Sequence, residues 1–178
     1  CKGLAGVSES QVEMNAGLQL FDGIETKDIQ EILVRSANDL ISLESPNYQF
    51  VAARLLLFSL RKQVYNGHPD GHPPLLEHVK KCIDRGVYDA KIVSKYTDEE
   101  WSKLNSYVDH DRDYLFTYAG MRQVCDKYLV QDRSTGEIYE TPQFMYMMIA
   151  ATLFQDDDPF YRLDYVKRYY DAISKHKV

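Results

Sequence analysis

Four residues of metal-ligating type lie close together near the middle of the chain. His78 and Cys82 are four residues apart, which places both on one face of a helix, and His68 and His72 precede them in a loop. Imidazole and thiolate groups in such a pattern could bind zinc. The sequence has no CxxC or HExxH pattern, however, and such residues also meet by chance around a Pro- and Gly-rich loop. We therefore predict no metal in this segment and keep zinc as an alternative.

A second cluster with chemical potential is Asp109-His110-Asp111-Arg112-Asp113. A histidine oriented by carboxylates can act as a general base. Acidic residues are also favoured at a helix start, where they interact with the positive end of the helix dipole. We interpret the run as a solvated helix start, with the catalytic reading as the less frequent outcome.

Other catalytic patterns are missing from the sequence. There is no GxSxG, and Cys1, Cys82 and Cys125 have no recognisable flanking signature, which argues against an independent hydrolase. Three of the 14 tyrosines, Tyr161, Tyr165 and Tyr169, recur at i+4, which indicates a packing stripe rather than an electron path.

A nucleotide site would need a helix start and a cation, because neither a Walker-type nor a GxGxxG loop is present. Thr26 is predicted to cap a helix, and Lys62 lies near the end of the next one. If these two helices pack antiparallel, both residues come to the same end of the pair.

Most of the chain that carries these residues is predicted to be helical, because apolar residues recur at three- and four-residue spacing. Before residue 66, we expect a first helix capped by Ser8 or Ser10, a second from Thr26 and a central third over about 47–65. The Gly- and Pro-rich stretch 66–73 marks a module boundary.

Beyond that stretch the pattern predicts more helices and one small β-hairpin. The hairpin spans about residues 128–140, where two short alternating runs flank a polar turn. The predicted fold class is thus mainly α. The predicted helices cover 74–85, a capping-box start at Thr97, 111–128, a restart at Thr141-Pro142 and a last one over 161–174.

Composition sets limits on function. With 21 Lys and Arg against 27 Asp and Glu, the net charge is −6, which disfavours nucleic acid as a partner because phosphate binding needs clustered positive charge. No apolar run approaches the length of about 20 residues that crosses a bilayer, so no membrane role is expected. Three cysteines in a chain of 178 residues indicate reduced thiols and a cytoplasmic location.

Several segments resemble, in order and spacing, the large (alpha) subunit of class I ribonucleotide reductase, in its class Ia branch. They are Phe21-Asp22-Gly23-Ile24 before Thr26, Pro46-Asn47-Tyr48-Gln49 with Ala52-Ala53-Arg54-Leu55, the 109–113 run, Lys127-Tyr128-Leu129-Val130-Gln131, Thr135-Gly136-Glu137-Ile138-Tyr139-Glu140 and Tyr165-Val166-Lys167-Arg168-Tyr169-Tyr170-Asp171-Ala172.

The resemblance implies an N-terminal segment of a longer subunit. Residues 1–66 are similar to the later, helical part of an ATP-cone whose N-terminal hairpin is absent, and residues 67–178 to the helical domain that precedes the catalytic barrel. ATP switches the family's enzymes on at the cone and dATP switches them off. Overall-activity regulation is therefore the expected role of the segment, and its allosteric effectors would be ATP and dATP.

The site residues follow from this resemblance, position by position. Thr26 matches a nucleotide-contacting threonine, Lys62 a phosphate-side lysine, and Ile29 and Phe58 the apolar positions beside the base and ribose. Gln30 matches a position that takes part in telling ATP from dATP. No radical-bearing or redox cysteine and no other active-site group of the family matches here, so no catalytic residue is expected in this segment.

The resemblance also implies chemistry and partners for the whole protein. The family reduces ribonucleoside diphosphates to deoxyribonucleoside diphosphates by a thiyl-radical mechanism, with the radical cofactor in a separate small (beta) subunit. Expected partners are that beta subunit, further alpha subunits and the remainder of the alpha chain. Two alternatives stay open: a degenerate or stand-alone helical interaction domain without nucleotide binding, and a metal-binding regulator that uses His68, His72, His78 and Cys82.

Overall fold

A computed structural model of the protein describes residues 1–65 and 71–177, and this part of the chain is mainly helical, which confirms the predicted fold class. The α-helices are α1 (Glu9–Gly17), α2 (Thr26–Asp39), α3 (Tyr48–Val64), α4 (Leu75–Asp84), α5 (Lys91–Lys95), α6 (Asp98–Tyr107), α7 (Tyr118–Gln123), α8 (Pro142–Leu153) and α9 (Arg162–Ser174). A 3-10 helix over His110–Leu115 precedes α7, and a π-helical turn over Val124–Tyr128 follows it.

The first three helices form a small bundle, because α2 is amphipathic and packs along α3, while α1 packs on α2. Asn15 Nδ2 donates a hydrogen bond to the Ser36 carbonyl oxygen over 3.1 Å and so fastens α1 to α2. This bundle encloses the small cluster of buried side chains, Val12, Ala37, Tyr48, Val51 and Ala52.

The remaining helices and the other face of α3 enclose the large cluster of buried side chains. Its most buried members include Leu57 of α3, Trp101 and Leu104 of α6, Phe144 of α8 and Tyr170 of α9. The apolar character of α3 nearly all round explains why it is central, since it has to face both clusters.

Two predicted helix starts are confirmed in the second half. Thr97 Oγ1 accepts a hydrogen bond from the Glu100 backbone N–H, and the Glu100 carboxylate accepts one from the Thr97 backbone N–H, which completes a capping box. Pro142 opens α8 at its first positions, where a missing N–H costs no hydrogen bond.

The predicted cap of α2 is wrong by one residue. The carbonyl of Glu25 accepts the first hydrogen bonds of the helix, from the backbone N–H groups of Asp28 and Ile29 at 3.0 and 3.1 Å. Glu25 is therefore the N-cap and Thr26 is the first helical residue.

The helix predicted over 111–128 is interrupted. Phe116 adopts an extended conformation and buries its ring, and Thr117 then caps α7 by accepting a hydrogen bond from the Gly120 backbone N–H at 3.3 Å. Burial of Asp113 and Phe116 fixes the preceding residues in a 3-10 helix instead of an α-helix. Tertiary contacts thus override a continuous helical pattern.

The predicted β-hairpin is reduced to one antiparallel bridge, between Gln131 and Ile138, in the part of the chain that the structure describes. Tyr128 belongs to the π-helical turn, so the first predicted strand has too few residues left to form a ladder. The Val130 N–H is bonded to the side chain of Glu140, at 2.8 Å, rather than to a facing strand.

The predicted boundary between residues 66 and 67 lies in 66–70, outside the described residues, and the two predicted domains stay a prediction. Among the helices that are described, none has the length and apolar character needed to cross a membrane.

Candidate nucleotide-binding site

The five residues assigned to a nucleotide site lie on two neighbouring helices. Thr26, Ile29 and Gln30 share one face of the first turns of α2, since they are three and four residues apart. Phe58 and Lys62 are one turn apart on the second half of α3. The Phe58 side chain is 44% exposed, and the side chain of Lys62 is partly buried.

The two helices pack with the start of α2 near the end of α3. Residues 40–47 join them, a short connection that favours antiparallel neighbours. Gln30 of α2 and Ser59 of α3 line the same cleft, as this arrangement requires. The two helices are therefore antiparallel, which is the arrangement that a joint site of Thr26 and Lys62 requires.

Gln30 differs from the other four assigned residues because it lines a cleft that they do not. It lines a cleft of about 410 Å³ between α2, α3 and α7, together with Arg35, Tyr118 and Arg122, and none of Thr26, Ile29, Phe58 and Lys62 lines that cleft.

The start of α2 is an open helix end. No side chain caps it, so hydrogen-bonding capacity remains at its first N–H groups for an anion. Glu25 and Asp28 place two carboxylates beside the same end. A phosphate there would need a cation to offset this repulsion, and Lys62 is the cation that the sequence assigns to that task.

The end of α3 is held far more firmly, by a residue that sequence analysis missed. Arg61 is 6% exposed, and its Nη2 donates hydrogen bonds to Asp113 Oδ2 at 2.9 Å and to the His110 carbonyl oxygen at 2.8 Å. The sequence predicts a solvated helix start that includes Asp113, and this prediction is wrong, because Asp113 is 1% exposed. The sequence signal was the acid-rich run itself, but its partner lies 52 residues away.

Asp113 connects Arg61 to the last two helices. Its Oδ1 accepts a hydrogen bond from Gln143 Nε2 at 2.9 Å, and Gln143 Oε1 accepts one from the Tyr170 hydroxyl at 2.7 Å. Burial raises the pKa of Asp113 to about 6, although the Arg61 guanidinium acts to lower it. Together, these hydrogen bonds form a continuous buried chain from α3 through the 3-10 helix to α8 and α9.

Two further bonds fix the same end of α3. The Tyr65 hydroxyl is hydrogen-bonded to Thr141 Oγ1 at 2.8 Å, and Lys81 Nζ donates to the Val64 carbonyl oxygen at 3.1 Å. The partners come from α4 and from the cap of α8. The end of α3 is thus anchored to three separate elements.

The alternative metal site is only partly described, because His68 lies outside the described residues. His78 Nε2 and Cys82 Sγ are 3.6 Å apart, and burial lowers the pKa of His78 to about 4 and raises that of Cys82 to about 11. His72 instead stacks on His110, with ring centroids 3.7 Å apart. Within residues 1–65 and 71–177, no three His, Cys, Asp or Glu side chains are grouped to hold a metal ion.

A large apolar groove lies outside these clusters and was not expected from the sequence. It has a volume of about 1000 Å³ and runs between the segment around α5 and the outer face of α8. Val87, Ile92, Met145, Met148, Ile149 and Leu153 are among its lining residues. Tyr169 also lines it, so the predicted tyrosine stripe of α9 lies partly at this surface.

Comparison with known proteins connects these observations to a family. The model of the ribonucleotide reductase all-alpha domain matches residues 114–178. The chain is 48% identical over 177 residues to ribonucleoside-diphosphate reductase 1 subunit alpha of Escherichia coli, and 49% identical over 177 residues to subunit alpha of Haemophilus influenzae. The alpha subunit of enterobacteria phage T4 is 43% identical over 175 residues.

The coverage of these matches is unequal. They take in 97–99% of this chain but only 23% of each of the three relatives, so the chain spans about a quarter of their length. Since the 48% identity to the Escherichia coli subunit extends over 99% of this chain, the chain belongs to the ribonucleoside-diphosphate reductase alpha-subunit family, of which it represents a segment.

Proposed function

We propose that the chain is the N-terminal allosteric and structural segment of a ribonucleoside-diphosphate reductase. The complete enzyme would convert ribonucleoside diphosphates to deoxyribonucleoside diphosphates for DNA synthesis. The observation that carries this proposal is the 48% identity over 99% of the chain to an alpha subunit of that name.

The segment's own contribution would be control of overall activity by ATP and dATP. Thr26, Ile29 and Gln30 on α2, with Phe58 and Lys62 on α3, would form the effector site. In support, the uncapped start of α2 can bind an anion, and α3 brings a cation and an aromatic ring to the same helix pair. Binding at this site would bias the assembly of alpha and beta subunits, which is a coupling free energy between separate sites.

The chemistry itself would lie elsewhere in the protein. Burial raises the pKa of Cys82 to about 11 and that of Cys125 to about 12, so both stay protonated at neutral pH and are poor nucleophiles. We expect no reductase turnover from the isolated segment when beta subunit and reductant are supplied, and turnover would refute this assignment.

The expected partners are the beta subunit, further alpha subunits and the remainder of the alpha chain, in the cytoplasm. The apolar groove beside α8 is the surface that such a partner could cover, since apolar side chains of α8 and of the segment around α5 line it. All three cysteines are free thiols, as a reducing compartment would keep them.

Calorimetry with ATP and dATP tests the effector site directly. Two polypeptides should be compared, this chain and one extended upstream through the hairpin of a family ATP-cone. Binding by the extended form alone would support a regulatory cone of which this chain is a part. Absence of binding by both would contradict nucleotide regulation.

That second result would favour the alternative of a helical interaction domain. The exposure of Phe58 and the apolar groove are the features that suit it. In that case Thr26 would be an ordinary first-turn residue and Lys62 a surface charge, and substituting either would change no binding reaction.

A further inference from the structure

The last turn of α3 carries two consecutive basic residues with different surroundings. Lys62 is partly exposed, and it is the phosphate-side residue of the proposed effector site. Arg61 is buried against Asp113. Successive residues on an α-helix are about 100° apart around the axis, so one turn can present Lys62 to a ligand while Arg61 fastens the turn from another side.

The Arg61 anchor is geometrically demanding. Its guanidinium is shared between the Asp113 carboxylate and the His110 carbonyl oxygen, and Asp113 is itself oriented by Gln143. A buried ion pair with such additional bonds tolerates little movement, because displacing one partner leaves a charge without solvent or counterion. The position of the α3 backbone at residue 61 is therefore determined by residues outside the small bundle.

The other wall of the site has no comparable support. The start of α2 lacks a side-chain cap, and the segment before it exposes Leu18 and Phe21 at 87% and 68%. Of the two walls, the end of α3 is the fixed one. A phosphate group that binds between them would be located by Lys62, whose helix is already in place.

We propose that Asp113 is a positioning residue for the Lys62 ammonium group, acting through Arg61 to hold the last turn of α3 where a phosphate can reach it. The proposal rests on the effector site described above and adds a residue from outside the two helices that form it. Asp113 would touch no part of the nucleotide.

A pH dependence follows from this arrangement. Charged and titratable groups from several elements surround Asp113 and its neighbour His110. They are Arg61 and Tyr65 at the end of α3, His72 just before α4, His78 in α4, Asp109 at the cap of the 3-10 helix, Cys125 in the π-helical turn, Tyr146 in α8 and Tyr170 in α9. Burial raises the pKa of Asp113 to about 6, so acidification below pH 6 removes the negative partner of Arg61. Nucleotide binding should weaken with it.

The test is ATP binding measured by calorimetry at pH 7.5 and 5.5, for the parent and for Asp113→Asn. It uses whichever of the two polypeptides described above, this chain or the form extended upstream, binds ATP. We expect Asp113→Asn to bind ATP about tenfold more weakly at pH 7.5. Its remaining pH dependence should be only that of the ATP phosphates. Asp111→Asn is the matched control, because it makes the same charge change on the same 3-10 helix at an exposed side chain.

Two further measurements keep the test decisive if Asp113→Asn folds poorly. Tyr65→Phe removes only the hydroxyl bonded to Thr141, and it should weaken ATP binding about twofold to threefold. Amide hydrogen exchange over residues 60–64 should accelerate in both variants and stay unchanged in the Asp111 control.

The outcomes separate this proposal from the effector site itself. If the parent binds ATP and both variants bind it equally well with the same pH profile, Asp113 has no positioning role and the effector site stands. If no form of the parent binds ATP, the effector site fails, and the role assigned to Asp113 fails with it.

Discussion

The small and the large cluster differ in how completely their side chains are buried. The large cluster contains several fully buried rings, such as Trp101, Phe144 and Tyr170, and is crossed by the Arg61–Asp113 hydrogen-bond chain. The small cluster has Tyr48 as its one large buried ring among the described residues, and the apolar side chains packed on it, such as Leu33 and Leu40, are only partly buried. Helix α3 belongs to both.

The first three helices therefore bury fewer side chains among themselves than the remaining helices do. Their rigid element, α3, is held from the side of the large cluster. The proposed effector site lies in the weakly closed region, next to the strongly closed one. Ligand-responsive segments are generally drawn from the less stable parts of a fold.

Removing equal side chains from the two clusters should have unequal effects. Leu57→Ala opens a cavity in the large cluster, where Leu57 is 2% exposed, and should lower the free energy of unfolding by about 3 kcal/mol. Leu33→Ala removes the same atoms from a partly buried position at the small cluster and should cost about 1 kcal/mol. Urea unfolding measures both, and equal losses would contradict the comparison.

Acidification should act on the large cluster through its buried histidines. Burial lowers the pKa of His78 to about 4 and of His110 to about 3, so both are neutral when folded and take up protons on unfolding below pH 6.5. Stability is therefore lost as pH falls from 6.5. Asp113 opposes this, because its raised pKa, about 6, makes the folded state take up a proton first.

The destabilisation from the two histidines is larger than the stabilisation from Asp113. The free energy of unfolding should therefore fall by about 2 kcal/mol between pH 7 and pH 5. Urea unfolding at the two pH values measures this. His78→Gln should make the profile flatter, and a profile unchanged by that substitution would show that His78 is not the group responsible.

Lys62→Ala probes the weakly closed region without touching either cluster. It should weaken ATP and dATP binding about tenfold, through loss of the phosphate-side charge, and leave substrate-specificity control of the complete enzyme intact. Lys80→Ala, an exposed lysine on α4, is the matched control. Unchanged nucleotide affinity in the Lys62 variant would remove this residue from the site.

The smallest effect concerns the helix starts. Thr97→Ala removes a complete capping box from α6 and should cost about 1 kcal/mol of unfolding free energy. Glu25→Ala at the uncapped start of α2 should cost much less, because its side chain makes no capping bond. Thermal unfolding of the two variants distinguishes these values. A larger loss from Glu25→Ala than from Thr97→Ala would show that the Glu25 side chain stabilises the start of α2.

Local sequence patterns predicted the elements whose stability is local. The amphipathic stripe of α2, the apolar α3 and the capping box at Thr97 were all found in this way. The helix predicted over 111–128 failed because burial of Asp113 and Phe116 decided its conformation, and neither burial is visible in a helical period.

The same limit applies to the candidate site. Lys62 and Thr26 could be named from their place at helix ends and from resemblance, but Arg61 could not, since its partner is 52 residues further along. A buried ion pair is a property of packing between elements. The acid-rich run around Asp113 was a sequence signal, but it did not show which cation it would pair with.

The anchoring of α3 also determines when this helix can reach its final state during synthesis. Tyr65 and Thr141 are 76 residues apart, so the end of α3 leaves the ribosome well before its last partner exists. At about 5–20 residues per second, the delay is on the order of 4 to 15 seconds. During that interval α4, the 3-10 helix and α7 can already pack against α3, but the part of its last turn that Thr141 and α8 later cover stays exposed.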